Sequence, residues 1–173
     1  THLYNLLNIL SPSEFGISEV HVWSYEGLIS FLPANNWLIK HLSFKDGTSI
    51  LKQLWWERTQ LPNYLKANKC DILLNIDAST VCRFSPAITM SRDMLSYEPG
   101  ELYRSGLSKR TLRLLVIKYV QNSSLRSASG VIFLTKYAGE IIQKSSGKLK
   151  NVEFIPHGIS NNFKNNVSGE CLE

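Results

Sequence analysis

Arg126-Ser127-Ala128-Ser129-Gly130-Val131-Ile132-Phe133-Leu134-Thr135 is the stretch from which the fold of this chain can be read. Val131 to Leu134 is apolar without alternation, as in a strand buried on both faces of a parallel sheet. Thr135 stands at the N-cap of a helix that carries Ala138, Ile141 and Ile142 and ends at Gly147. Before the strand, Ser108 to Ala128 has the pattern of a long helix. Leu112, Leu115, Val116, Tyr119 and Val120 form its expected core-facing stripe, with Lys109, Arg110, Arg113 and Lys118 largely off it. Helix, buried strand and helix in succession are the parts of right-handed crossovers, which build parallel sheets.

The alternation extends in both directions. Toward the C-terminus, Val152-Glu153-Phe154-Ile155 reads as a strand closed by Pro156. Toward the N-terminus, Ala87 to Met90 is a strand entered through Pro86. Ile72 to Ile76, broken only by Asn75, reads as another strand buried on both faces. A long helix capped by Ser49 and kinked at Pro62 precedes it. Trp37 to Phe44 and Val20 to Trp23 are earlier strands, with a short helix from Glu26 to Leu32 between them. Thr1 caps a first helix whose Leu3, Leu6, Leu7 and Leu10 share one face. The fold class expected is α/β, a Rossmann-like parallel sheet with helices on both faces. Such sheets bind ligands at the carboxyl ends of their strands, so the loops after Ile76, Met90, Leu134 and Ile155 are where chemistry is to be sought.

At 173 residues, 43 % hydrophobic and 19 % charged, the chain suits one domain with a core of its own. The net charge of +5 fits anionic partners. Basic and aromatic residues do not interleave as in nucleic-acid binders, so no nucleic acid is expected as a partner. Cys70, Cys82 and Cys171 match no zinc spacing and read as reduced thiols. No apolar run approaches the ~20 residues of a membrane span. Neither Gly-x-Gly-x-x-Gly, Gly-x-Ser-x-Gly nor a P-loop occurs, which disfavours a dinucleotide oxidoreductase, a hydrolase and an NTPase.

Four segments follow one another in a telling order. A helix kinked at Leu61-Pro62 leads into Cys70-Asp71-Ile72-Leu73-Leu74. Pro86-Ala87-Ile88-Thr89-Met90-Ser91-Arg92-Asp93 follows, then Arg126 to Thr135, then Val152-Glu153-Phe154-Ile155-Pro156-His157-Gly158-Ile159-Ser160. The series resembles the N-terminal domain of GT-B glycosyltransferases, specifically the retaining family 4, also called glycosyl transferase group 1. The resemblance covers nearly the whole chain. It implies residues 1–160 as an acceptor-side Rossmann-like domain, the N-terminal half of a GT-B fold whose first strand would precede Thr1. Residues 161–173 would be a polar tail or the start of an interdomain linker. Three positions depart from the family pattern: Arg92 replaces its His before Asp, His157 replaces its Asn before Gly, and Ser160 replaces its closing Asp.

The resemblance implies transfer of a sugar from a nucleotide-sugar donor to an acceptor hydroxyl, with retention and without an essential metal or cofactor. The enzyme expected is a glycosyltransferase of hexosyltransferase type in polysaccharide, lipopolysaccharide or glycolipid synthesis, with the chain alone inactive. The nucleotide sugar would be held by a C-terminal domain, and the acceptor would be a saccharide or a lipid-linked saccharide. The expected location is cytoplasmic, and the basic stretch from Arg104 to Lys118 leaves open a peripheral contact with the inner face of a membrane. Two alternatives stand beside this one: a non-catalytic gene fragment, and an unrelated Rossmann-like ligand-binding module.

Asp93 and Arg92 are the catalytic candidates. Asp93 would hydrogen-bond sugar hydroxyls or support the transition state, or it would merely cap a turn. Arg92 cannot accept a proton near neutral pH but can bind phosphate or carboxylate, or simply pair with Asp93 or Glu98. Ser91, Asn75, Asp77, His157, Gly158, Thr135 and His2 are the substrate-binding candidates, and no metal ligand is expected. Asn75 and Asp77 end a strand and have a structural hydrogen bond as the plain alternative. Gly158 is expected to supply a positive φ or a close approach, and His157 would reach the cleft or cap the loop. Thr135 would cap its helix, whose start can also meet an anion. His2 would lie near donor phosphates or pack.

Overall fold

A computed structural model of the chain describes residues 2–45, 47–98, 100, 101, 104, 106, 108–156 and 158. Every strand pair among them is parallel. The fold is α/β, as expected, with the strands shared between two sheets. In the first, β1 (Val20–Tyr25) pairs with β2 (Leu38–Phe44), with Trp23 opposite His41. In the second, β3 (Leu73–Asn75), β4 (Ala87–Ser91), β5 (Gly130–Phe133) and β6 (Val152–Phe154) lie side by side in chain order.

Each sheet has its helices. On the first, α1 (His2–Ile9) and α2 (Glu26–Phe31) cover one face, where Leu7, Leu32 and Leu38 are buried against Val20 and Val22. The alternate residue Trp23 points to the other face. There it joins Leu61, Leu65 and Cys82 beneath α3 (Ile50–Thr59) and α4 (Leu61–Ala67). Leu73 of β3 packs into the same cluster. The α3–α4 pair therefore covers both sheets with one apolar surface. On the second sheet, α5 (Lys109–Ser127) and α6 (Lys136–Ser146) enclose the largest cluster, in which Phe133, Val131, Leu125 and Ile142 are at most 1 % exposed. Gly139 lets α6 approach closely: a Cβ there would sit 2.7 Å from Cε1 of Phe154 and 3.1 Å from Cδ2 of Phe133.

The local signals at helix ends hold where the side chain finds its partner. Ser108 Oγ accepts from the Thr111 N–H at 3.3 Å, and Thr135 Oγ1 accepts from the Ala138 N–H at 3.1 Å. Ser49 precedes α3 but makes no such bond. The expected kinked helix is instead two helices, parted at Gln60. Pro62 falls in the first turn of α4, where an N–H has no partner within the helix, so the missing N–H costs α4 none of its own hydrogen bonds. Thr1 and the tail 161–173 lie outside the described residues.

Two expectations about burial are corrected. Ile72 to Ile76 does not form a strand buried on both faces: only Leu73–Asn75 pairs, and Ile72 and Leu74 are 53 % and 44 % exposed. β3 is the end strand of its sheet, so an apolar run here marks an edge. The stripe of α5 is also turned the other way. Leu112, Leu115, Val116 and Tyr119 are exposed, while Leu114, Gln121, Ser124 and Leu125 face the protein. Hydrophobic periodicity ranks Gln and Ser as outward residues, but a buried polar side chain is tolerated once its hydrogen bonds are satisfied. Here Gln121 is bonded to Ser96 and Ser79, and Arg126 Nε donates to the Ser146 carbonyl at 2.7 Å.

Two truncations on α5 distinguish the faces. Leu125→Ala should lower the unfolding free energy by about 2–5 kcal/mol, as for a buried leucine. Leu112→Ala, on the expected but exposed face, should change it by less than about 0.5 kcal/mol. Urea melts of the two variants check the pair, and a larger loss from Leu112→Ala would restore the original facing of the helix.

Candidate functional site

Parallel register fixes which loops can cooperate. Asn75 lies opposite Thr89, Ser91 opposite Phe133, and Phe133 opposite Phe154. The carboxyl ends of β3 to β6 therefore lie along one edge of the sheet. The segments after them, containing Asp77, Arg92 and Asp93, Thr135 and Gly158, follow that edge in order.

The two acids on this edge are shaped alike. Asp77 Oδ1 accepts from the Ser79 N–H at 2.6 Å, and Asp93 Oδ1 accepts from the Leu95 N–H at 2.9 Å. Each is an Asx turn that folds the chain back just beyond a strand. Each leaves its second oxygen without a bonded partner among the described residues. Arg92 is exposed, and it forms no ion pair with Asp93 or Glu98 among the described residues. Its guanidinium thus remains available at the rim.

The loops bearing these groups are tied to α5 from below. Ser96 Oγ donates to Gln121 Oε1 at 2.9 Å, and Gln121 Nε2 donates to Ser79 Oγ at 3.3 Å. One amide so links the loop after β3 to the loop after β4. Tyr97 Oη donates to Asn122 Oδ1 at 2.9 Å, and Asn122 Nδ2 donates to Ser145 Oγ on α6 at 3.2 Å. Burial raises the Tyr97 phenol well above its ordinary range, so it stays a neutral donor.

The other candidates are placed differently. Asn75 Nδ2 donates to the buried Thr89 Oγ1 at 3.1 Å, so its amide serves the β3–β4 pair. Ser91 is 4 % exposed and sits within β4 rather than on the rim surface. Thr135 is engaged as the cap of α6. Among the described residues Gly158 shows neither feature expected of it: its φ lies outside the left-handed region, and an added Cβ would meet no described atom within 4 Å. His2 opens α1, which packs on the β1–β2 pair. His157 lies outside the described residues.

Glu57 is a further candidate that the pattern of the sequence did not reveal. It projects from α3 to the loop after β3, where its Oε2 accepts from the Val81 N–H at 3.2 Å and the Thr80 hydroxyl at 3.4 Å. Burial raises its pKa, and the charge of Asp77 adds to the rise. The two hydrogen bonds oppose it. The available signal was that Glu57 is the sole acid between Asp46 and Asp71, on a helix whose neighbours enter a core. A cavity of about 130 Å³ between β3–β4 and α5 is lined by Asn75, Thr89 and Arg83, but not by Arg92 or Asp93. Among the described residues, no group of three or more His, Cys, Asp or Glu is set to hold a metal ion. No described helix is long and apolar enough to cross a membrane.

No protein-family model, no curated protein and no solved structure matches this chain.

The pKa of Glu57 gives a pH test. A carboxyl whose folded pKa exceeds its unfolded value near 4.5 holds its proton more tightly when folded. Its contribution to stability is present below the unfolded value and is lost as pH rises through the folded one. The parent should therefore lose stability upward from about pH 4.5 relative to Glu57→Gln, which cannot ionise. Paired urea melts from pH 4 to 7 measure the difference. A Gln variant that falls in parallel with the parent would contradict the raised pKa.

Proposed function

We propose that this chain is the acceptor-side half of a retaining GT-B glycosyltransferase. The observation that carries the reading is the parallel order β3-β4-β5-β6. It sets Asp77, Arg92–Asp93 and the start of α6 on one edge, at the segments whose order resembles that family. A second domain facing this edge would hold the nucleotide sugar. The acceptor hydroxyl oxygen would bond to the anomeric carbon as that carbon's bond to the nucleotide diphosphate breaks. The hydroxyl proton would leave with the diphosphate, and the anomeric configuration would be kept.

The chemistry of the rim fits an acceptor wall. The unbonded oxygens of Asp77 and Asp93 are acceptors for sugar hydroxyls, and fixed carboxylates orient a polyol without reorganising during transfer. Arg92 is a permanent cation with planar donors, suited to a diphosphate or to a charged group on the acceptor. The loops are held by Gln121 and Asn122, so these groups are placed before substrate arrives.

Asp93→Asn separates function from turn formation. Its amide oxygen can still accept from Leu95 N–H, so the melting temperature of the encoded protein should be nearly unchanged. Turnover should fall on the order of 100-fold, the scale for losing one fixed electrostatic group. Steady-state kinetics beside a thermal melt make the comparison. Unchanged turnover would leave Asp93 as a turn residue and remove it from the site.

A further inference from the structure

The outward stripe of α5 has a neighbour of the same character. On α3, Ile50, Leu51 and Trp55 are 68 %, 79 % and 60 % exposed; on α5, Leu112, Val116 and Tyr119 are 65 %, 54 % and 76 % exposed. A groove of about 330 Å³ joins the two helices, with Trp55 and Arg58 on one side and Tyr119 and Val120 on the other. Thr80, Val81 and Arg83 line it between them. Arg83 is held there by a 2.6 Å bond from its Nη2 to Ser123 Oγ.

The charge around this surface is mostly positive. Lys52, Arg58, Arg83, Lys109 and Arg113 are exposed. Of the acids on these elements, Glu57 turns inward to Thr80 and Val81 and Glu101 is paired with Arg104 and Arg110 at 3.0 Å each, which leaves Asp77 at the start of the groove loop against five basic side chains. An apolar surface of this extent on a folded domain is a contact surface. Tryptophan and tyrosine among aliphatic side chains, rimmed by unbalanced arginine and lysine, match the polar–apolar boundary of a bilayer with anionic headgroups. An apolar protein partner would leave that positive rim unmatched.

We propose that the α3–α5 face docks on an anionic membrane surface. Trp55, Tyr119 and the aliphatic side chains enter the headgroup boundary, while Arg58, Arg83 and Arg113 pair with lipid phosphates. The groove wall formed by Thr80 and Val81 belongs to the loop that begins at Asp77. Docking therefore brings one end of the candidate rim next to the bilayer. This inference goes beyond the transferase reading and does not rest on it.

Vesicle flotation tests it, because bound protein rises with the lipid and aggregated protein does not. The chain should float with vesicles of phosphatidylcholine containing about 30 % phosphatidylglycerol and stay down with phosphatidylcholine alone. Raised salt should weaken the binding. The triple variant Arg58→Glu, Arg83→Glu, Arg113→Glu should reduce the bound fraction by roughly tenfold or more. Trp55→Ser should reduce it at unchanged surface charge. All four side chains are exposed, and circular dichroism of each variant should match the parent. Flotation with neither vesicle, equal flotation with both, or unchanged flotation of the triple variant would each overturn the proposal. So would a dimer that Trp55→Ser dissociates without any lipid binding, since the face would then join two copies. None of these readings requires turnover, so failure here is distinct from failure of the transferase assignment.

Discussion

Parallel pairing is the constraint on which the rest of this structure depends. A parallel neighbour cannot be reached by a hairpin, so the chain must cross a face of the sheet between successive strands. In β3 to β6 each crossing returns the chain so that the next strand points the same way. The consequence is geometric: every carboxyl-end loop arrives at one edge. Asp77, Arg92 and Asp93 need no sequence proximity to become neighbours of one ligand. The α3–α4 pair connects strands of different sheets and covers apolar surface on both, through Trp23 and Leu73.

The helix α5 shows how polar groups can decide an orientation that hydrophobicity leaves open. It carries leucine on more than one face, with Leu114 and Leu125 on one side and Leu112 and Leu115 on another. Burying the first pair brings Gln121 between Ser79 and Ser96 and Asn122 against Tyr97 and Ser145. These bonds fasten two rim loops and α6 to one helix. The apolar residues left outside form the α3–α5 face proposed to dock, so the inner and outer chemistry of α5 have one origin.

Much of this was legible in the sequence. The order of strands and helices, the cap Thr135 and the parallel class follow from local pattern, because each rests on residues a few positions apart. Burial was less legible. Ile72 to Ile76 is apolar enough for a central strand, yet its place at the sheet edge depends on which strands pair with it. The break at Gln60 depends on a proline being tolerated in a first turn as well as in a kink. In the candidate site, the edge positions of Asp77, Arg92 and Asp93 followed from strand ends alone. The engagement of Asn75 with Thr89, the burial of Ser91 and the reach of Glu57 to Val81 did not, because each joins residues 14 or more positions apart or depends on packing.

Hydrogen–deuterium exchange on the encoded protein, with and without a saturating nucleotide sugar and a saccharide acceptor, tests the central claim most directly. Amides in the carboxyl-end segments 76–82, 92–98 and 134–138 should become protected, while the opposite edge at 85–87, 128–130 and 148–151 should exchange as before. Protection confined to the opposite edge, or none at the loops bearing Asp77 and Asp93, would contradict the assignment of this rim as the ligand-binding face.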